Sequence, residues 1–111
     1  GKTLSGIMYV DYRVGDGFEE EARNYVFHAE RVEFEEIEYE DVTGPHTAKP
    51  VTGKYIFEKT ASHTGSLRME TDFVEYQLNL IFNGSNVVAE GTLKEKADVI
   101  NLPARGTFIM K

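Results

Sequence analysis

The sequence contains no cysteine. Neither a disulfide framework nor a thiolate metal site is therefore open to it, and cysteine usage says nothing of the redox compartment. No apolar run approaches the roughly 18 residues that a membrane-spanning helix needs. The first residues show no basic-then-apolar leader pattern. Basic residues are scarce: 12 Lys and Arg stand against 19 Asp and Glu, for a net charge of −7. Phosphate backbones are held by basic surfaces, so this balance argues against nucleic acid as the main partner.

Catalytic and metal-binding signatures are missing too. The three histidines, His28, His46 and His63, fall in no metal-ligand spacing. Ser5, Ser62, Ser66 and Ser85 sit at strand starts or turns with no nucleophile elbow around them. Gly15-Asp16-Gly17 lacks the strand-to-helix setting of a phosphate-cradling loop. No metal and no cofactor is expected.

What the chain does have is alternation. From Val74 to Phe82, Val74, Tyr76, Leu78, Leu80 and Phe82 share one phase, and Glu75, Gln77 and Asn79 the other. Period-two alternation of this length marks a half-buried antiparallel strand. Around it, Val51 to Thr92 reads as a four-strand meander with tight connections, and Asn83-Gly84 is its strongest hairpin signal. Asn83-Gly84-Ser85 also fits a glycosylation triplet, but the hairpin accounts for it.

The remainder reads as further strands. Leu4 to Tyr12 alternates Leu4, Gly6, Met8, Val10 and Tyr12 against Ile7, Tyr9 and Asp11. Residues 18–31 fit either a helical stripe (Phe18, Ala22, Tyr25, Val26, Ala29) or a strand over 22–28 with Tyr25 and Phe27 inward. An internal echo favours the strand: Phe27 and Val32 flank four turn-like residues, as do Phe82 and Val87. Val32 to Tyr39 is strand-like with a phase change, which places a β-bulge at Glu35-Glu36. Asp41 to Pro50, with Pro45 and Pro50, reads as a long loop. Leu93 to Arg105 reads as a second connection with a possible helical turn, ended by Pro103, before a last strand at Thr107 to Met110.

The 111 residues make one domain, 1–111, with apolar content for one core. The expected fold is all-β: about eight antiparallel strands in a small up-and-down barrel, whose closure removes exposed strand edges. Gly53-Lys-Tyr-Ile-Phe-Glu-Lys-Thr60, Leu67, Tyr76 to Phe82, Gly91-Thr92 and Gly106-Thr-Phe108 resemble the small bacterial barrels of the lipocalin-like (calycin) type, including proteins similar to the molybdenum-cofactor protein F group. The resemblance spans residues 51 to the end. It implies a barrel with a pocket at one end and carries no catalytic motif.

Eleven of the 19 acidic residues fall between Asp16 and Asp41, with only Arg23 and Arg31 as bases. A solvated sheet face explains this run; a surface for a cation or a basic partner is the sharper reading. Six Tyr and seven Phe are the other distinctive feature. Tyr12, Tyr25, Tyr39, Tyr55 and Tyr76 fall on apolar-facing phases. Apolar walls with a few hydroxyls are what small-molecule sites look like. The expected ligand site is walled by Tyr55, Phe57 and Tyr76, joined by Tyr39 and Tyr12, with Asp41 to Pro50 as cover. The expected function is non-enzymatic binding of a small, largely apolar molecule, with neither nucleic acid nor membrane as partner. The alternatives are a cyclase or isomerase acting by shape control, and an acidic-faced interaction or oligomerisation module. Oligomeric state stays open.

Overall fold

The protein is described by a computed structural model covering residues 1–13, 17–39 and 46–111. Eight strands follow in chain order: β1 (Lys2–Asp11), β2 (Phe18–Phe27), β3 (Arg31–Tyr39), β4 (His46–Ala61), β5 (Thr64–Glu70), β6 (Val74–Asn83), β7 (Asn86–Glu95) and β8 (Asn101–Met110). Each pairs antiparallel with the next, and β8 pairs back with β1, so the sheet is a closed up-and-down barrel. No helix occurs among the described residues. The all-β expectation holds, and residues 18–27 are strand.

Closure gives the barrel two ends. The near end carries the start of β1, the finish of β8, and the β2–β3, β4–β5 and β6–β7 turns. The far end carries the other four connections. The internal echo is real at the near end: Phe27 pairs with Val32, and Phe82 with Val87, each at a hairpin corner. In the β6–β7 hairpin, Asn83 pairs with Asn86, leaving Gly84 and Ser85 at the tip. Gly84 has φ 62°, the positive value that the first position of a type II′ turn requires.

The inward phase fills the core as the alternation foretells. Leu4, Met8 and Val10 of β1, Leu78 and Leu80 of β6, and Val87, Ala89 and Leu93 of β7 are all buried. In the middle of the barrel Tyr25 is the hub, with Phe34, Phe108 and Tyr76 at ring-centroid distances of 4.8, 5.7 and 6.5 Å. Edge-on and tilted contacts of this kind add to the area the rings bury. Around Tyr25, the side chains of Met8, Leu67, Met69, Leu78, Ala89 and Phe108 leave no room for a water molecule. The middle layer is packed, as an eight-stranded interior allows.

Three expectations are corrected. The bulge at Glu35-Glu36 is absent, and β3 runs in unbroken register with β4 from Arg31 to Tyr39. The irregularity sits across the ladder in β2, between Arg23 and Val26, where Asn24 takes φ 56°. Asn tolerates that left-handed region, and the extra residue returns Tyr25 to the interior, three positions after Ala22. Second, residues 46–50 of the expected loop are the first residues of β4, while residues 40–45 lie outside the described residues. Third, the expected connection over Leu93 to Arg105 shrinks to 96–100, because Pro103 lies inside β8. Both prolines survive in strands for one reason. Pro50 pairs with Glu35 on β3 but precedes Lys54, where β5 pairing begins. Pro103 pairs with Thr92 on β7 but precedes Ala104, where β1 pairing begins. Each has a neighbour on one side only, so its missing N–H breaks no ladder bond.

The packed middle generates a stability prediction. Leu78→Ala should cost roughly 2–5 kcal/mol in urea denaturation. Gln77→Ala, on the exposed outer phase, should stay within about 0.5 kcal/mol. Leu80→Ala should cost less than Leu78→Ala, because Leu80 borders a cavity that is already open. Equal losses at 77 and 78 would mean that β6 is covered on both faces.

Candidate functional site: an apolar mouth and an acidic mouth

Above the packed middle, the near end is hollow. A cavity of about 420 Å³ is lined by Leu4, Phe27, Tyr55, Phe57, Leu67, Leu80, Phe82 and Met110, with Lys2 at its edge. The inward phases of six strands create it, and their aromatic rings shape it. Phe27 and Tyr55 meet edge to face at 4.9 Å, and so do Phe57 and Phe82 at 6.1 Å. Phe57 can lie low across the rim because Gly65, on the facing strand β5, offers no side chain; a Cβ there would run into the ring. The Tyr55 hydroxyl donates to the carbonyl of His28 in the β2–β3 turn, which fixes that ring as a wall. The His28 Nε2 lies 3.3 Å from a Glu33 carboxylate oxygen. This wall is almost free of polar atoms, and its size is that of a small-ligand pocket.

The far end has the opposite chemistry. Tyr12, at the end of β1, donates a hydrogen bond from its hydroxyl to Glu21 of β2. Glu21 turns inward because it is an extra residue: Met8 pairs with Ala22 and Tyr9 with Glu20, so Glu21 bulges from the ladder. Burial pushes its carboxyl up to about 7, the charges of Glu36, Glu95 and Glu19 push the same way, and the Tyr12 hydrogen bond opposes them. Tyr12 is raised as well, first by burial and then by the Glu21 charge. Beside them a second cavity, of about 240 Å³, is lined by Tyr12, Arg13, Glu95, Asp98, Ile100 and Leu102. Lys49, at the start of β4, bonds Glu38 at 2.8 Å and lies 3.9 Å from Glu36. Asp98 caps its own loop, accepting from the backbone N–H of Val99 at 2.7 Å.

The expected site residues are thus distributed along the barrel. Tyr55 and Phe57 line the near cavity. Tyr76 is in the packed middle, 1% exposed, between Tyr25 and Phe34. Tyr12 is at the far end with Glu21. The backbone of Tyr39 pairs with that of His46 at the far end of β3. Of the expected cover, Asp41 to Pro50, residues 41–45 lie outside the described residues and 46–50 begin β4 at the far end, whereas the aromatic cavity opens at the near end. Glu70, at the end of β5, bonds Lys96 at 3.4 Å. The sequence reading missed Glu21. The one signal available was its place in Glu19-Glu20-Glu21, because strand alternation turns at least one of three successive acids inward. Among the described residues, no group of three or more His, Asp or Glu side chains is arranged to hold a metal ion.

Compared with known proteins, the chain matches no family model, no curated protein and no solved structure. The likeness to lipocalin-like proteins therefore rests on architecture: a closed, eight-stranded antiparallel barrel.

Glu21 makes stability depend on pH. Its folded value, about 7, lies above its ordinary 4.5, so the folded state holds the proton more tightly than the unfolded one. The protein should lose stability as pH rises from about 4.5 to 7, and the loss should level off above 7. Its size is on the order of 2–3 kcal/mol. Glu21→Gln should flatten this slope and be the more stable form at pH 8. Urea denaturation at pH 5, 6, 7 and 8 tests it; an unchanged slope in the variant would place the titration elsewhere.

Proposed function

We propose that the protein is a binding barrel for a small, largely apolar molecule held in the near-end cavity. One observation carries this reading: an open cavity of about 420 Å³ whose wall is almost wholly carbon, set on a packed floor. Water gains little from such a wall, so an apolar ligand that displaces it is favoured by burial. The aromatic walls are fixed by their mutual contacts and by the Tyr55–His28 hydrogen bond, so little ordering is lost on binding. The lipocalin-like resemblance supports the same reading, since it too implies a pocket at one barrel end. Chemistry in this cavity has less support. Its titratable lining groups are Lys2 and Tyr55, and the Tyr55 hydroxyl is already engaged. The half-buried acid, Glu21, belongs to the other end. An association module has one observation in its favour: Ile81, Val88 and Ile109 are exposed on adjoining strands β6, β7 and β8, with Val88 paired to Ile81.

The neutral dye Nile red tests the reading. It should bind saturably, with one site per chain and enhanced fluorescence. Phe57→Ala and Tyr55→Ala should weaken it about tenfold, or roughly 1.4 kcal/mol. Leu80→Trp, which fills the cavity, should abolish it, and Tyr12→Phe at the far end should leave it unchanged. Absence of saturable binding, or binding indifferent to Leu80→Trp, overturns the proposal.

A further inference from the structure

The wall of the near-end cavity is carbon, but its rim is not neutral. Lys2 and Leu4 of β1 both line the cavity, because residues two apart on a strand share a face. Lys2 therefore stands on the inward phase, at the mouth, as the charged residue of the lining. Among the described residues it pairs with no carboxylate. The Tyr55 hydroxyl, the other polar group of the wall, already donates to the His28 carbonyl. Lys2 is the polar anchor left for a ligand.

The charge around Lys2 has the same sign. The chain carries −7 in all, yet residues 1–10 hold Lys2 and no acid, 76–89 hold no charged residue, and 106–111 hold Lys111 and no acid. These stretches cover the near halves of β6, β7, β8 and β1, which are consecutive neighbours in the closed sheet. That side of the mouth is free of carboxylates, so an anion approaching Lys2 from it meets no like charge.

The rings set the shape of the ligand. Phe27 stands at 78° to Tyr55, and Phe57 at 85° to Phe82. A flat ring laid parallel to one member of either pair is edge-on to the other. Stacked and edge-to-face contacts are the two arrangements that aromatic rings favour. Met110, also on the lining, adds a thioether for ring contact. A rigid ring system loses no internal rotations on binding, whereas a flexible chain does.

We propose, resting on the reading of this cavity as a binding site, that its ligand is a planar aromatic acid. The rings lie among Phe27, Tyr55, Phe57 and Phe82, above the packed floor, and the anionic group stays at the mouth beside the Lys2 ammonium. Lys2 is exposed, so its attraction is modest. The rings carry the affinity, and Lys2 sets the sign of the charge that is accepted.

Calorimetric titration with matched probes tests it: 2-naphthoate, the neutral 2-naphthalenemethanol, the cationic 2-naphthylmethylammonium and the aliphatic decanoate. At low salt, naphthoate should bind about fivefold tighter than the alcohol. The ammonium should bind more weakly than the alcohol, and decanoate more weakly than naphthoate. Lys2→Met should remove the difference between naphthoate and the alcohol, and Lys2→Glu should reverse the order of naphthoate and the ammonium. Sodium chloride at about 0.5 M should narrow the same difference in the native protein. Equal affinity for the acid and the alcohol, or an unchanged preference in Lys2→Met, overturns the proposal. So does decanoate binding more tightly than naphthoate, or Nile red binding where no naphthalene probe does. Each of these outcomes leaves the cavity a site for apolar molecules. If Nile red and all four probes fail to bind, the reading of the cavity as a binding site falls, and the aromatic acid with it.

Discussion

The pairing of β8 with β1 is the constraint on which the rest depends. It runs in register from Leu4 with Met110 to Val10 with Ala104, and reciprocal Thr3–Lys111 backbone hydrogen bonds seal its end. Without it the molecule would be a twisted eight-stranded sheet with two long free edges, the kind that templates further pairing. With it, every inward side chain faces another across a narrow interior. Outward positions become solvent positions, which is where most of the charge goes. Small residues serve the same closure. Ala22, Ala89 and Ala104 are buried at inward positions, where larger neighbours such as Tyr25, Tyr76 and Phe108 need the volume.

Closure also makes the interior a column with a plug. Tyr25, Phe34, Phe108 and Tyr76 fill the middle in mutual contact. A ligand entering from one mouth meets this plug and cannot reach the other. The two ends can therefore hold different chemistry without interfering. At the near end the plug continues upward through Phe27 to Tyr55 as an aromatic wall. On its polar side the Tyr25 hydroxyl interacts with that of Tyr76 and feels the charge of Glu21. Tyrosine suits this boundary, because one ring can be apolar toward the core and polar at its tip.

Much of the fold was legible because side-chain phase is a local property. Val74 to Phe82 declares its inward face in nine residues, and the echo between Phe27–Val32 and Phe82–Val87 correctly marks two corners of one end. What phase cannot give is depth. Tyr55, Met69 and Tyr76 are direct cross-strand neighbours, so phase and register set them in one row. Barrel strands are tilted to the axis, so such a row climbs from one level to another. Tyr55 therefore opens on the near cavity while Tyr76 is sealed in the middle. Prolines misled for a related reason. A proline ends a strand only where a neighbour stands on its N–H side, and strand stagger, which local sequence does not state, left Pro50 and Pro103 with one neighbour each. Within the acidic run, a single bulge separates Glu20, paired across from Tyr9, from Glu21, turned in toward Tyr12.

An open apolar mouth is a liability in water, since rings on a rim tend to collapse inward or bind one another between molecules. The near end resists collapse through the way its rings are propped. Phe57 is 44% exposed, yet its ring packs down over Gly65 and against Phe82 at its side. Tyr55 is held from outside by the His28 carbonyl, whose own turn is closed by a 2.8 Å hydrogen bond from the His28 N–H to the Arg31 carbonyl. Collapse would have to break that polar anchor and leave a tyrosine hydroxyl in an apolar space, at a cost of about 1–3 kcal/mol. A phenylalanine at 55 would have no such restraint. The one hydroxyl on this wall thus acts as a strut rather than as a ligand group, which keeps the cavity open while leaving its inner surface carbon.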